Sequence, residues 1–334
     1  MTLSFTFSSF PVFAQTQQAD WKDICARATA DPLAAPAFTN GKPLSELKDC
    51  DSTRLYYGFS RAPDRKAALQ CAYFERAHPR PSTGDPFYGV GVLSMLYANG
   101  FGIQRNYDLA IRFTCENTWA AQAEMEGRIR HLQHLRDSRS QTANFDLCDD
   151  GTSGLMEGAC AEIGEQFAET KRAQKLKVLS AGWSREVKTA FENLQKAEQS
   201  FAMAHSGREI DLSGTGRGAF SIEAAAKVHD QFIQNLQRLA KGTVPPASAQ
   251  DYRDVDANLN ARYSQLLASK RKDEDQPRMG GEVELSGIRE SERAWIKFRD
   301  GWMAFAPLAN PKIEAKQIGA LITGQRIEQF KDIE

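Results

Sequence analysis

The chain has 334 residues, of which 41% are apolar and 25% are charged, and its formal net charge is −1. This length accommodates two domains, and the composition is typical of a globular protein. Because positive and negative charges balance, no overall electrostatic field draws nucleic acid or an anionic membrane to the protein.

The N-terminus has features of an export signal. Residues 1–14, MTLSFTFSSFPVFA, are uncharged, moderately apolar and rich in Phe, and residues 15–18 are polar. The end of the first segment, Val12-Phe13-Ala14, fits the small-residue rule for signal-peptide cleavage, although the usual basic segment is missing. We interpret residues 1–14 as a signal peptide, truncated or starting upstream of Met1; a disordered tail is the alternative. After its removal we expect no integral membrane segment, because no apolar run is long enough to span a bilayer.

Short helices separated by turns are expected in the next part of the chain. Residues 21–30 predict a short helix, and Pro32, Pro36 and Pro43 predict a loop after it. Residues 55–77 contain helix-like stretches interrupted by glycine and proline.

A more specific motif follows at residues 93–113. Its defining positions are Leu93, Tyr97, Gly100, Gly102, Tyr107, Ala110 and Phe113. They resemble the Sel1-like repeat, LGxxYxxGxGVxxDxxKAxxW, which is a helical hairpin. Gly100 is expected to end the first helix at a positive φ, Asn106 to cap the second, and Ala110 to let the two helices approach closely. One hairpin cannot bury its faces alone, so neighbouring units are expected.

Weaker copies flank this hairpin. Tyr57-Gly58 and residues 64–67 resemble a degenerate copy with a shortened loop, and residues 119–135 resemble the first helix of a third unit. The Sel1-like region therefore covers about residues 55–135, inside a predicted domain of residues 20–160.

Six cysteines favour export to an oxidising compartment, either the periplasm or the cell exterior. They are Cys25, Cys50, Cys71, Cys115, Cys148 and Cys160. None forms a CxxC pair, and no Cys/His cluster has the spacing of a zinc site. Among the possible pairings we favour Cys148–Cys160, because the glycines between them can close a loop. Cys71–Cys115 follows from near-equivalent positions in adjacent hairpins, and Cys25–Cys50 is left by elimination.

We predict a second helical domain at residues 161–334. A loop with a disulfide is expected at residues 145–161, a linker at residues 241–249 and a charged loop at residues 270–281. Helical periodicity is expected at residues 160–179, 186–205, 221–239, 252–266 and 313–330. Because alternating apolar runs are missing, the predicted fold class is all-α, with Sel1-like hairpins followed by a helical bundle.

The segment 285–305 organises this second domain. Its large apolar residues recur at helical spacing, at Leu285, Ile288, Trp295, Phe298, Trp302 and Phe305. Such a stripe must contact other helices, and we expect Pro307 and Pro311 to end the helix. Residues 194–201 parallel residues 288–295 in their apolar, polar and aromatic positions, which indicates an internal copy.

A family resemblance lies in this helix and in the one before it. Residues 292–300, ERAWIKFRD, resemble the (Q/E)RxWxxxRD signature of the lysozyme-inhibitor LprI-like family, whose members are small helical domains of bacterial envelope proteins. Residues 259–267, LNARYSQLL, resemble its LNxxYxxLL helix, and the resemblance covers about residues 251–333. The family-motif positions are Glu292, Trp295, Arg299, Asp300, Tyr263 and Arg326. The family usually carries two cysteines in this domain, but this chain has none after Cys160.

The family-motif residues are expected to build the fold more than to touch a partner. We expect Trp295 to anchor the core, and Arg299 and Asp300 to fasten a neighbouring helix or loop. A binding hot spot at the same three residues is the alternative, since Trp and Arg favour such roles.

No pattern in the chain predicts a catalytic, cofactor-binding or metal site. The histidines are scattered, and His131 and His134 lack the further ligands that a metal requires. Residues 214–218, GTGRG, precede a helix and suggest a phosphate loop, but they follow a helix and lack the Gly-Lys-Ser/Thr ending. We favour a flexible connection there, and we expect no enzyme.

The family resemblance implies binding of a protein partner, either lysozyme or an envelope protein, with lysozyme inhibition as the namesake activity. One mechanism would be occlusion of the lysozyme cleft by the loop at residues 270–281. A Sel1-type scaffold or adaptor for envelope complexes is the alternative. A second alternative, a cell-wall accessory enzyme, requires a pocket with converging carboxylates.

Overall fold

The computed structural model describes residues 20–33, 49–79, 84–139, 144–272 and 280–333. Within these ranges the chain forms α-helices and one 3₁₀ helix at Leu147–Asp150, and no β-strand, which confirms the all-α prediction. The helices are α1 (Trp21–Thr29), α2 (Ser52–Tyr57), α3 (Arg65–Ala77), α4 (Val90–Asn99), α5 (Tyr107–Cys115), α6 (Gln122–Asp137), α7 (Gly154–Ser180), α8 (Arg185–Arg208), α9 (Arg217–Lys241), α10 (Ala249–Lys272), α11 (Leu285–Ala309) and α12 (Ala315–Phe330). No helix in the described ranges is long and apolar enough to cross a membrane. The signal peptide expected at residues 1–14 lies outside the described residues and stays a prediction.

Two consecutive hairpins, α2–α3 and α4–α5, share the same turn. Gly58 and Gly100 end the first helices at φ of +73° and +67°. The N-cap residues Asp64 and Asn106 each donate their N–H to a carbonyl near the end of the first helix, at 3.0 and 2.9 Å. Each also accepts with its side chain from the second helix. The helix end at Gly100 and the cap at Asn106 are confirmed, and the first turn is not shortened as expected.

Three disulfides hold this half of the chain. They are Cys25–Cys115, Cys50–Cys71 and Cys148–Cys160, with Cα–Cα distances of 5.3, 5.9 and 5.8 Å. The Cys148–Cys160 prediction is confirmed, whereas the predicted pairs Cys71–Cys115 and Cys25–Cys50 are wrong.

The register of the two hairpins explains the error. When the hairpins are matched at their turns, Cys71 corresponds to Phe113, which lies two residues before Cys115. Two residues turn a helix by about 200°, so Cys115 faces another side than Cys71. It meets Cys25 on α1, and Cys71 meets Cys50 in the segment before α2.

Helix α7 begins inside the segment that was expected to be a loop, residues 145–161. Its N-cap is Ser153, whose side chain accepts from the Met156 N–H at 3.2 Å. A Cβ at Gly154 would collide with the Thr215 carbonyl oxygen, so glycine lets α7 approach the segment before α9 closely. The helix also crosses the predicted boundary between residues 160 and 161. Its first turns belong to the N-terminal core and its last turns to the C-terminal core, and the domain division stays a prediction.

The C-terminal core consists of two three-helix units with the same arrangement, α7–α9 and α10–α12. In each unit the first helix lies beside the third, and the second packs on the third. The second helices, α8 and α11, join the two units, and Phe201 stacks on Phe298 with 5.6 Å between ring centroids. These two helices run antiparallel, because the end of α8 meets the start of α11 at Arg208 and Gly287.

A polar contact repeats in both units. Glu198 of α8 accepts a hydrogen bond from the His229 ring of α9 at 2.5 Å, and Glu292 of α11 accepts one from Arg326 of α12 at 3.0 Å. Glu198 and Glu292 occupy matching positions in the expected internal copy. The repeated sequence pattern and the repeated helix arrangement therefore agree.

The aromatic stripe of α11 fills the C-terminal core. All six of its apolar residues are buried: Leu285, Ile288, Trp295, Phe298, Trp302 and Phe305. The helix continues to Ala309, and Pro307 lies inside its last turn instead of ending it. A proline there removes one N–H but leaves the Asn310 N–H to bond Ala306, and the helix stops before Pro311.

Candidate functional site

The family-motif tryptophan lies in the core beneath an arginine. Trp295 is 1% exposed, and the Arg299 guanidinium lies 5.3 Å from the centroid of its ring. Arg299 donates from Nη1 to Asp256 Oδ1 on α10 at 3.1 Å and from Nη2 to Asp300 Oδ1 at 2.9 Å. Arg299 therefore ties α11 to α10, and Trp295 presents almost no surface to solvent.

A buried ion cluster lies between α8, α11 and α12. The fully buried Arg326 donates from Nη1 and Nη2 to both carboxylate oxygens of Glu209, at 2.8 and 2.6 Å. Its Nε donates to Glu292 Oε2 at 3.0 Å, and the His205 ring donates from Nδ1 to Glu209 Oε2 at 2.8 Å. One guanidinium thus holds two carboxylates from two other helical segments.

The two carboxylates differ in acidity because they differ in their bonds. Burial raises the pKa of Glu209, but the charge of Arg326 and the hydrogen bonds from His205 and Arg326 outweigh it, so its pKa lies below the ordinary value. Burial raises the pKa of Glu292, and Arg326 offsets this only in part. Glu209 is thus the main counter-ion of the cluster.

The sequence predicted Glu292 and Arg326 as motif positions but missed their partners. The only local signal was the four-residue spacing of His205 and Glu209, which places both on one helix face. That spacing is common on solvent-exposed helices, so it did not distinguish a buried pair.

Two of the helices around this cluster, α11 and α12, lie in a segment that matches a known family. Residues 244–330 match the family model described as lysozyme inhibitor LprI. The match covers α10, α11 and α12, and we call residues 244–330 the LprI-like segment. It confirms the resemblance predicted for the C-terminal part of the chain, and the matched family is one of inhibitors, not of enzymes.

The other comparisons add no relative. No curated protein gives a significant match, and no solved structure does. The Sel1-like resemblance of residues 55–135 is not confirmed by them and stays a prediction.

The remaining motif residues lie at helix contacts of the LprI-like segment. Tyr263 of α10 stacks on Phe330 of α12 with 6.1 Å between ring centroids. Arg326, besides its bonds in the ion cluster, donates from Nη1 to Gln329 Oε1 on its own helix at 3.2 Å. In the charged loop expected at residues 270–281, residues 273–279 lie outside the described residues.

The Sel1-motif residues lie in the N-terminal core. The first-helix and small-residue positions, Leu93, Tyr97 and Ala110, are buried. Gly100 and Gly102 both have positive φ, and a Cβ at Gly102 would lie 3.0 Å from the Arg65 carbonyl oxygen. The tight loop approach predicted for Gly102 is therefore present.

A cleft of about 520 Å³ opens in the first three-helix unit, between α7 and α8, with α9 as its floor. Its walls include Glu165, Glu169 and Glu198, the kind of carboxylate cluster that an accessory enzyme would need. Glu165 is paired with Arg172, and Glu198 is paired with His229. The cleft therefore does not present two unengaged carboxyl groups.

The described residues give little support to bound groups elsewhere. The group that could hold a metal is Cys50, Cys71 and Glu75, but the two cysteines form a disulfide and their sulfurs are not thiolates. His131 bonds Asp150 at 3.0 Å. At residues 214–218, where the sequence suggested a phosphate loop but a flexible connection was favoured, the Glu157 carboxylate lies beside Gly216 at the start of α9. An anionic ligand would be repelled there.

Proposed function

We propose that this chain is an exported protein that binds another protein, and that it inhibits lysozyme in the manner of the LprI family. The match of residues 244–330 to that family carries the proposal. Three disulfides and no free cysteine among the described residues fit an oxidising compartment, the periplasm or the cell exterior.

The motif residues support an internal role, so the partner must meet other side chains. Trp295 and Arg326 are buried, and Arg299 is engaged with two aspartates. Among the described residues of the LprI-like segment, the large apolar side chains that are exposed are Ile296 at 38% and Leu308 at 41%. Both lie on α11, whose solvent face is therefore the candidate contact surface of this segment.

The first experiment measures lysozyme turnover with increasing amounts of the purified chain. Two substrates are needed, a cell-wall suspension and a soluble glycan oligomer, because loss of activity on the suspension alone would indicate coating of the wall. We expect a stoichiometric loss of activity on both. Unchanged turnover of both substrates at a large molar excess would refute lysozyme inhibition.

Matched variants then locate the contact. Ile296→Asp or Leu308→Asp should weaken inhibition about tenfold or more if either side chain lies in the interface. The control is Val178→Asp, because Val178 is 77% exposed but lies on α7, outside the LprI-like segment. Full inhibition by all three variants would place the contact away from this face of α11.

A Sel1-type scaffold is the second candidate, and the repeated turn of the two N-terminal hairpins favours it. Cross-linking in an envelope extract distinguishes the two. Links from lysozyme to residues 244–330 support inhibition, whereas recurrent links from endogenous proteins to residues 55–135 support a scaffold.

A further inference from the structure

The cleft between α7 and α8 is open, whereas its counterpart in the second unit is closed. In the second unit α10 contacts α11, and Arg299 of α11 donates a hydrogen bond to Asp256 of α10 at 3.1 Å. Between α7 and α8, both within the described residues, no hydrogen bond or ion pair is found, and their contact is marginal at most. One helix arrangement thus occurs in a closed copy and in an open copy.

The walls of the open cleft carry more negative than positive charge. Three carboxylates, Glu165, Glu169 and Glu198, face one guanidinium, Arg172, and one imidazole, His229. Arg172 is paired with Glu165, and Glu198 is paired with His229. Glu169 is exposed and has no ion pair with the described residues. A cation that enters the cleft therefore meets an unengaged carboxylate.

Apolar side chains line the bottom of the cleft beside His229. Phe232 of α9 and Ala202 of α8 are buried there, and Leu176 of α7 lies beside them. Met203 stands at the rim and is 75% exposed, a high value for an apolar side chain. Methionine adapts its shape to different partners, and it is common on surfaces that bind helices.

We propose that this cleft binds a basic amphipathic helix of a partner protein. Its apolar face would lie on Phe232, and its lysine or arginine side chains would lie beside Glu169. The lining residues extend from Glu165 to Leu176 on α7 and from Gln195 to Ser206 on α8, about three helical turns on each wall. A helix of that length would fill the gap that α10 and α11 close by direct contact in the second unit.

This inference rests on the proposed role in protein binding but not on lysozyme inhibition. The cleft lies at residues 165–233, outside the LprI-like segment. Each site is tested with its own variants, so one proposal can be refuted while the other stands.

The test uses the full chain and two synthetic helical peptides of about 14 residues, which corresponds to about four turns. One peptide has leucine on one face and lysine on the other, and the second has glutamate in place of lysine. Calorimetry at low salt and at about 0.3 M salt should show binding of the lysine peptide, weakened by salt, and no binding of the glutamate peptide.

Three variants show whether the cleft is the binding site. Glu169→Lys should weaken binding of the lysine peptide about tenfold at low salt, because a like charge replaces an opposite one. Glu192→Lys is the matched control, since Glu192 is exposed on α8 but does not line the cleft. Ala173→Trp adds bulk to an exposed position of the cleft wall and should abolish binding without a change of charge.

Equal binding of both peptides, or an equal effect of Glu192→Lys and Glu169→Lys, would overturn the proposal. A dimer of the chain alone that Ala173→Trp dissociates would assign the cleft to a second copy and would also overturn it. If Glu169→Lys still inhibits lysozyme, the proposed function stands, and the peptide experiment then decides only whether the cleft binds a basic helix.

Discussion

Replacing Arg326 with methionine should destabilise the C-terminal core more than any surface change. Arg326 is fully buried and is the guanidinium that pairs with both Glu209 and Glu292. Methionine has a similar length but no charge, so the variant keeps most of the contact volume. It leaves two carboxylates in the core without the guanidinium that pairs with both of them.

The expected loss of stability follows from removing only one partner of a buried ion pair. Such changes cost about 3–5 kcal/mol, because the remaining charges lose their partner but stay desolvated. With a urea dependence of about 2 kcal/mol per M, the unfolding midpoint should fall by about 1.5–2.5 M. Replacing the carboxylates as well, in Arg326→Met with Glu209→Gln and Glu292→Gln, should recover part of the loss.

At Glu209, the pH dependence of stability in the variant should have the opposite sign to that in the native chain. In the native chain the pKa of Glu209 is below its ordinary value, so its contribution is present above the unfolded pKa and is lost as pH falls through the folded pKa. Without Arg326, burial remains and raises the pKa of both carboxyls. The variant should therefore gain stability as pH falls from 7 towards about 5.

Tryptophan fluorescence during urea unfolding measures this core, because Trp183, Trp295 and Trp302 belong to it. The control is Arg293→Met on the exposed face of α11, which should change stability by less than about 0.5 kcal/mol. A loss of less than about 1 kcal/mol for Arg326→Met, or a loss that does not shrink on acidification, would refute the reasoning.

Three further predictions concern other parts of the fold. Gly287→Ala should cost about 1–3 kcal/mol, because its Cβ would collide with the backbone of α8, whereas Gly324→Ala meets open space and should stabilise by up to about 1 kcal/mol; equal urea midpoints would contradict this. Removing the disulfide of Cys115, which spans 90 residues, should cost about 4.6 kcal/mol in thermal unfolding, against about 2.8 kcal/mol for that of Cys160, which spans 12; the reverse order would count against it. The hydrogen bond to a glutamate raises the pKa of His229, so its contribution is present below the unfolded pKa and is lost as pH rises through the folded pKa; His229→Gln should therefore lose more stability at pH 6 than at pH 9, and an equal loss would exclude the pair as its source.

The sequence predicted only those parts of the candidate sites that depend on residues close together in the chain. The sequence indicated Trp295, Arg299 and Arg326 by a motif and predicted Trp295 as a core anchor, but it did not predict the buried ion cluster around Arg326. The cleft between α7 and α8 had no sequence signal, because its charged residues come from three helices with ordinary surface spacing. An open cleft is a property of the distance between helices, which no single helix encodes.

By itself the sequence determined the features that depend on neighbouring residues. The helical stripe of α11, the helix end at Gly100 and the cap at Asn106 follow from side-chain spacing and backbone preference within a few positions. The Cys148–Cys160 pair is of the same kind, since it closes a short loop. Such features need no knowledge of how distant segments meet.

The tertiary structure decided which distant segments meet. Successive residues of a helix are rotated by about 100° around its axis. Cys115, two positions beyond the residue that matches Cys71, therefore faces Cys25 and forms its disulfide there. The same long-range geometry brought Glu209 to Arg326 and left α7 apart from α8. Burial and charge pairing arise only when whole helices dock, and that is why the buried cluster and the open cleft became visible in the fold alone.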